Sequence, residues 1–244
     1  MTMPSDREVT AVILAGGRGS RLAPLTTVIP KPLVPVGDYP ILEILIRQLV
    51  ASGITNIVIS IGYLGHLIQA VVRDGSHLGA TIRYTSEDEP LGTAGALALV
   101  TDLSSDGVVL VLNGDTLTDL NFRGLVSAHA ASDAAATIVI VRREMKVDFG
   151  VIEVGENREL ARYIEKPVYE YLVSIGVNVI SNSALANIGV GERVDMPDFM
   201  LRLRERGLMV CCDERDCFWL DLGRIDDLRA ASEIVAHDPQ RFLP

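Results

Sequence analysis

The sequence predicts an α/β protein built on a Rossmann-like, mostly parallel mixed sheet with helices on both faces. Three observations carry that prediction. Short apolar runs alternate with longer stretches of helical period through the first half of the chain, the pattern of strands joined by crossover helices. The run at 108–112 is apolar at every position, as a strand covered on both faces must be. Finally, Val12-Ile13-Leu14 breaks off into Ala15-Gly16-Gly17-Arg18-Gly19-Ser20-Arg21. Buried strands end this way where the chain leaves the carboxyl edge of a sheet and turns over a ligand.

Taken in order, residues 9–14 form the first buried strand. Pro40 opens a helical pattern with Ile41, Leu42, Leu45, Ile46 and Leu49 on one face and Gly53 as its stop. Residues 57–61 are the next strand, followed by a helix that carries Leu64, Leu67, Ile68, Val71 and Val72 and ends at Gly75. A strand at 81–85, a helix at 93–100 and the strand at 108–112 complete the regular part. A weak boundary lies at 119–122. Strands are expected beyond it at 137–141, 150–154, 160–164 and 172–180. Met196, Phe199, Met200 and Leu203 recur at helical spacing within 195–206, a stripe that fits core packing better than a cofactor surface. A last helix covers 225–236.

The glycine-rich stretch is the centre of the chemistry. Gly16, Gly17 and Gly19 remove the Cβ atoms that would hold a phosphate away from backbone N–H groups. Arg18, Arg21 and Lys31 add cations to a chain that is acidic overall. Two familiar phosphate motifs fail on spacing: the dinucleotide pattern G-x-G-x-x-G requires glycine where Leu22 stands, and no G-K-[S/T] follows these glycines. Pro30 and Pro32 stiffen the backbone on either side of Lys31, which suits a loop that holds one ammonium in place.

From Leu14 to Val36 the chain reads L-A-G-G-R-G-S-R-L-x-P-L-T-x-x-x-P-K-P-L-x-P-V. This resembles the signature of the sugar-1-phosphate nucleotidylyltransferases, enzymes that make nucleotide sugars from an NTP and a sugar 1-phosphate. Within them the short sugar-1-phosphate guanylyltransferases are the nearest likeness. Ser20, where Thr is more usual, is a mild departure. The resemblance extends from Val12 to about Ala231, with no appended left-handed β-helix or second catalytic domain expected. It implies the nucleotide-diphospho-sugar transferase fold and a single domain over 1–244. About 1–120 would bind nucleotide; about 121–244 would bind the sugar phosphate and carry the C-terminal helix. It assigns nucleotide binding to Leu14, Ala15, Gly16, Gly17, Arg18, Gly19, Arg21 and Lys31, with Arg21 and Lys31 stabilising the departing pyrophosphate.

The remaining parts follow from this likeness together with position in the fold. Glu87-Asp88-Glu89-Pro90-Leu91-Gly92-Thr93-Ala94-Gly95-Ala96 follows the third strand, beside the Gly-rich loop, and is similar to the family's base-recognition segment. Taken locally it is an acidic turn capping a helix. As a site, Glu87 accepts from a nucleobase while Gly92 lets the backbone approach. A carboxylate only accepts, which complements the N1–H and 2-amino donors of guanine and leans toward GTP; dTTP or UTP remains the alternative. Asn113-Gly114-Asp115 ends the strand at 108–112. Asp115 looks like the family's metal-binding aspartate, and Asp221 of Trp219-Leu220-Asp221-Leu222-Gly223 resembles its partner across one Mg²⁺. Asp119 is expected to face a turn. Asn113, Phe149-Gly150 and Glu165-Lys166-Pro167 resemble the part that receives the sugar phosphate, Lys166 holding the attacking phosphate. Ser174 and Asn178 stand where an Asn and a Tyr are commoner, and Ser174 is carried over as a sugar contact.

Composition sets the bounds. The 244 residues carry a formal charge of −10 and are 48% apolar, which argues against general binding to nucleic acid or anionic membranes. No apolar run reaches the ~20 residues of a membrane span, and the N-terminus is polar and charged, without a signal-peptide segment. Cys211, Cys212 and Cys217 suit neither a metal knuckle nor a disulfide framework, so reduced thiols in a cytoplasmic protein are expected. His66, His77, His129 and His237 are scattered without metal spacing and are assigned to the surface. The partners expected are an NTP and a sugar 1-phosphate, with a homo-oligomer left open. Two rival readings are a nucleotide-sugar sensor without catalysis, and a nicotinamide dehydrogenase, which Leu22 weakens.

Overall fold

A computed structural model describes residues 8–87 and 89–243. The N-terminal stretch 1–7, Asp88 of the acidic loop and Pro244 lie outside the described residues.

The regular part forms as its periodicity dictates. Strand β1 (Val9–Ala15) leads through the glycine-rich loop and a small ribbon, β2 (Pro35–Val36) with β3 (Tyr39–Pro40), into helix α1 (Ile41–Ala51). Strand β4 (Asn56–Ile61), helix α2 (Gly65–Val72) and strand β5 (Thr81–Ser86) follow. The helix expected at 93–100 is split into α3 (Gly92–Gly95) and a tighter 3₁₀ turn at Ala96–Leu99. Strand β6 (Val108–Asn113) leads to a three-residue strand, β7 (Thr116–Thr118), and helix α4 (Phe122–Ala130), whose first turn is capped by Asn121 accepting from the Gly124 N–H.

Beyond α4 the chain builds two long strands, β8 (Ala136–Lys146) and β11 (Val168–Ser181), with the hairpin β9 (Val151–Val154) and β10 (Leu160–Ile164) between them. Helix α5 (Met196–Glu205), strands β12 (Val210–Glu214) and β13 (Trp219–Asp221), and helices α6 (Ile225–His237) and α7 (Pro239–Phe242) complete it. Both β8 and β11 run past the expected 137–141 and 172–180. The sequence reading did not anticipate β7, β12, β13 or α4. The first three are too short or too irregular for a period to show, whereas Phe122, Leu125 and His129, the buried positions of α4, do recur at helical spacing.

The main sheet has seven strands in the order β12-β8-β11-β6-β1-β4-β5. All run in one direction except β11, which is antiparallel to both β6 and β8. Alternation along the strands divides the core. Ala11, Ile13, Ile57, Ile59, Leu110 and Leu112 face α1, α2 and α4; Val12, Val58, Val109 and Val111 face Leu97 and the α5 residues Phe199, Met200 and Leu203. The stripe on α5 is therefore core, as its spacing predicted. A third cluster joins the ends of the chain: Leu22 and Val34 of the glycine-rich segment pack with Leu117, Leu222, Leu228 and Phe242.

Two expectations are corrected here. His129 is not a surface residue; it is 1% exposed, its ring nitrogens beside the Thr137 and Ser181 hydroxyls at 2.8 and 3.2 Å. Asp119 does not simply face a turn. It accepts from the Phe218 N–H at 2.7 Å and pairs with Arg241 at 2.6 Å, tying α7 to the strand edge at the supposed boundary. The three cysteines are free thiols, and burial pushes that of Cys217 up. Among the described residues no helix is long and apolar enough to cross a membrane.

Candidate active site

The carboxyl ends of β1, β4, β5 and β6 open onto a cavity of about 780 Å³. Its floor is the glycine-rich loop, and Gly16, Gly17, Arg18, Gly19, Arg21 and Lys31 all line it together with Leu14 and Ala15. Nothing lies within 4 Å of the position a Cβ on Gly17 would take, so that residue presents bare backbone to the open space. Gly19 adopts φ of 61°, where a side chain would be strained and would also stand 3.1 Å from Lys31 Cβ. The Thr26 hydroxyl donates to the Gly19 carbonyl at 2.8 Å and fixes the far side of the turn.

Leu22, the residue that breaks the dinucleotide pattern, is fully buried in the third cluster beside Leu222. Each leucine follows a charged residue, Arg21 in one case and Asp221 in the other, and burial of the pair brings those neighbours together. Arg21 lies 3.7 Å from Asp221. The Lys31 ammonium pairs with Asp115 and lies 3.7 Å from Asp221 Oδ1. Asp115 sits in the turn between β6 and β7, and the Leu222 N–H donates to its carbonyl at 3.1 Å. The pairing of β13 with β7 sets Asp221 opposite Thr116. The two aspartates thus converge on one cation, the ammonium of a lysine whose side chain is only 10% exposed.

The opposite wall is the acidic loop. Glu87 lines the cavity, but its carboxylate is already engaged: Oε2 accepts from the Leu91 N–H at 2.6 Å and Oε1 from the Ser60 hydroxyl at 3.3 Å. Each oxygen has a second lone pair for a ligand. Gly92 lines the cavity too, and the fold gives it a reason for being glycine that the sequence did not show. At φ of 78° a Cβ there would stand 2.6 Å from the Val194 carbonyl oxygen, so the room is taken by the segment before α5.

Asn113 lines the cavity and lies against Gly176, where a Cβ would come within 2.2 Å of its Nδ2. Gly176 has φ of 73° and sits in the irregular register between Ser174 and Asn178. Glycine inside a strand marks a bulge or a close approach, the signal that would have found this residue. Gly150, Glu165, Lys166 and Ser174 are not among the cavity-lining residues. Gly150 packs under the Tyr163 ring. Glu165, Lys166 and Ser174 are exposed, and Lys166 takes an uncommon φ of 44°.

Ser60, Gly62 and Tyr63 line the cavity and were missed from the sequence. The Tyr63 N–H donates to the Gly16 carbonyl at 3.2 Å, and the Arg18 guanidinium lies 5.6 Å above the Tyr63 ring. A Cβ on Gly62 would stand 2.8 Å from the Gly16 oxygen, so the strand-end turn after β4 butts against the glycine-rich loop. A short turn at the carboxyl end of a strand next to β1 was the available signal.

The family model described as Nucleotidyl transferase matches residues 10–238. A UTP–glucose-1-phosphate uridylyltransferase from Synechocystis sp. is 30% identical over 89% of this chain, and a mannose-1-phosphate guanylyltransferase from Mycobacterium tuberculosis is 30% identical over 95% of it. The chain spans only 61% and 66% of the lengths of these relatives. A solved structure of a putative glucose-1-phosphate thymidylyltransferase from Bacillus anthracis, in complex with a sucrose, superposes with a TM-score of 0.74 at 26% identity, covering 94% of this chain and 96% of that one.

Proposed function

The chain belongs to the nucleotidyl transferase family, and on that premise we propose that it transfers a nucleotidyl group from an NTP, with GTP favoured, to a sugar 1-phosphate, releasing pyrophosphate. The observation that carries the proposal is the meeting of Asp115 and Asp221 at Lys31 beside a glycine-lined cavity. In this reading a phosphate oxygen of the sugar 1-phosphate attacks the α-phosphorus, and the bond to the β-phosphate oxygen breaks. Such transfers need alignment and charge neutralisation more than covalent help. The bare backbone of Gly16 and Gly17 takes the triphosphate, Arg21 and Lys31 neutralise the pyrophosphate as it departs, and Lys166 aligns the incoming phosphate.

A divalent ion fits the residues present. Two carboxylates directed at one point repel each other unless a cation lies between them, and here a lysine ammonium fills that role. Asp115 and Asp221 are the hard oxygen donors that Mg²⁺ takes alongside phosphate and water. When bound it would neutralise the charge that develops on the transferred phosphate. The proposal treats the chain as one working unit, with about 1–120 for the nucleotide and about 121–244 for the sugar phosphate; a sheet shared by both halves favours this.

Use of dTTP or UTP is the second reading. It draws support from the engagement of Glu87 by Leu91 and Ser60, which leaves less of its acceptor capacity for guanine. The test is pyrophosphate release, with and without Mg²⁺, from each of GTP, dTTP, UTP and ATP against a panel of hexose, hexosamine and heptose 1-phosphates. Release that needs both substrates and is largest with GTP supports the proposal. No release with any pair overturns it, and equal GTP and UTP turnover overturns the preference.

A further inference from the structure

Asp195 stands at the N-cap of α5 and is of a residue type that favours that position, yet its side chain caps nothing in its own helix. It turns instead toward the cavity wall. Its Oδ1 accepts from the Thr93 N–H at 3.0 Å and from the Thr93 hydroxyl at 3.4 Å. In return the Met196 N–H, the first of α5, donates to Thr93 Oγ1 at 2.7 Å. Each segment thereby satisfies an N–H at the start of the other's helix, across a separation of 102 residues. Backbone bonds run alongside: the Val194 N–H donates to the Leu91 carbonyl at 2.8 Å, and the Ala94 and Gly95 N–H groups donate to the Val194 carbonyl at 3.1 and 3.0 Å. Only glycine fits at 92 and 95, where a Cβ would meet the Val194 and Glu192 carbonyl oxygens at 2.6 and 2.4 Å.

Gly92, Thr93 and Ala96 line the cavity on the same wall as Glu87. We propose that Asp195 is a positioning residue for the base-binding wall, acting through Thr93 to hold residues 89–96 at the distance a nucleobase requires. This deepens the functional reading above and rests on it. The base-facing wall is set by a helix from the other half of the chain, and the phosphate-facing floor is set independently by the glycine-rich loop. Loosening the cap should therefore affect the base end of a nucleotide and spare its phosphate end.

The experiment is calorimetric titration of the full chain with GTP and, separately, with inorganic tripolyphosphate, which carries the phosphates and no base. Where binding must re-order a loop that has lost one cap, up to about fivefold in affinity is forfeited. Asp195→Ala is expected to weaken GTP by about that factor and leave tripolyphosphate binding within about twofold. Asp195→Asn keeps an acceptor oxygen and should recover most of the loss, and Thr93→Val, which removes the hydroxyl, should repeat it. If Asp195→Ala does not fold, the comparison of Thr93→Val with the parent decides. Unchanged GTP affinity, or equal losses for GTP and tripolyphosphate, overturns the inference while the functional reading stands. A parent chain that binds no nucleoside triphosphate overturns both.

Discussion

Leu22 and Leu222 lie in one buried cluster although they come from opposite ends of the chain. Arg21 and Asp221, their preceding neighbours, are carried to within 3.7 Å of each other by that packing. The charged pair itself is 66% and 41% exposed and holds little of the fold together. Leu222→Ala should cost about 2–5 kcal/mol in urea unfolding and lower pyrophosphate release with it. Arg21→Met should leave the unfolding midpoint close to that of the parent and still lower release by about a hundredfold. An Arg21→Met chain that unfolds early and is otherwise fully active would reverse this division of labour.

Lys31 keeps Asp115 and Asp221 from facing each other unneutralised. Lys31→Met should melt at a lower temperature than the parent in a chelating buffer, because two like charges are left side by side. Millimolar Mg²⁺ should raise its Tm by more than it raises the parent's. Activity should fall by about a hundredfold or more if, as proposed, Lys31 neutralises the departing pyrophosphate. A melting temperature indifferent to Mg²⁺ would remove the metal role from these aspartates.

Glu87→Gln tests the base. The amide keeps one acceptor oxygen but loses the negative charge that complements paired N–H donors. GTP turnover should fall by roughly tenfold, about what a charge-assisted bond contributes, and turnover with UTP should fall less. Equal losses for both nucleotides would show that Glu87 serves the loop, through Leu91 and Ser60, and not the base.

Gly176 and Asn113 can be separated by a double-mutant cycle. Gly176→Ala places a methyl into the Asn113 side chain and forces a positive φ on alanine, costs that together are about 1–3 kcal/mol. Asn113→Gly removes the clash but not the strain. The double variant should recover part of the stability lost in Gly176→Ala, as read in urea; strictly additive losses would mean that the two residues do not meet.

The segment that bears Asp195 also carries a carboxyl whose proton affinity the fold lowers. A hydrogen bond from Arg202, aided by the Gly189 N–H, lowers the Glu192 carboxyl from its ordinary value of 4.5 to about 2. A folded-state value below the unfolded one means that its stabilisation is present above pH 4.5 and is lost as pH falls toward 2. Glu192→Gln should therefore flatten the decline of thermal stability across that window. The effect will be small, because the pair is partly exposed and solvent screens it, and a variant as acid-sensitive as the parent would assign the decline to other carboxylates.

The strands at 9–14, 57–61 and 108–112 were legible because each is a run of strand length with at most one polar residue, and the α1 and α5 stripes because burial repeats with the turn of a helix. The glycine-rich loop was legible because turn chemistry and local charge lie within a few residues of one another. The setting of His129 was not. Its helical spacing with Phe122 and Leu125 marks the buried face of α4, but nothing local marks the Thr137 and Ser181 hydroxyls that receive its ring. Nor was the second demand on Gly92, where the carbonyl of Val194, about a hundred residues on, excludes a side chain.

The sequence alone determined the alternating layers, the phosphate-ready loop and the identity of the charged residues at the sheet's carboxyl edge. Those follow from hydrophobic period, glycine conformational freedom and proline stiffness, all of which act between near neighbours in the chain. Tertiary structure decided that β11 runs against its neighbours, that Asp221 reaches Lys31 and Arg21, and that Asp195 and Thr93 exchange caps. The last two depend on burying leucines and satisfying N–H groups between segments a hundred or more residues apart, and no local pattern encodes which distant partner will be met.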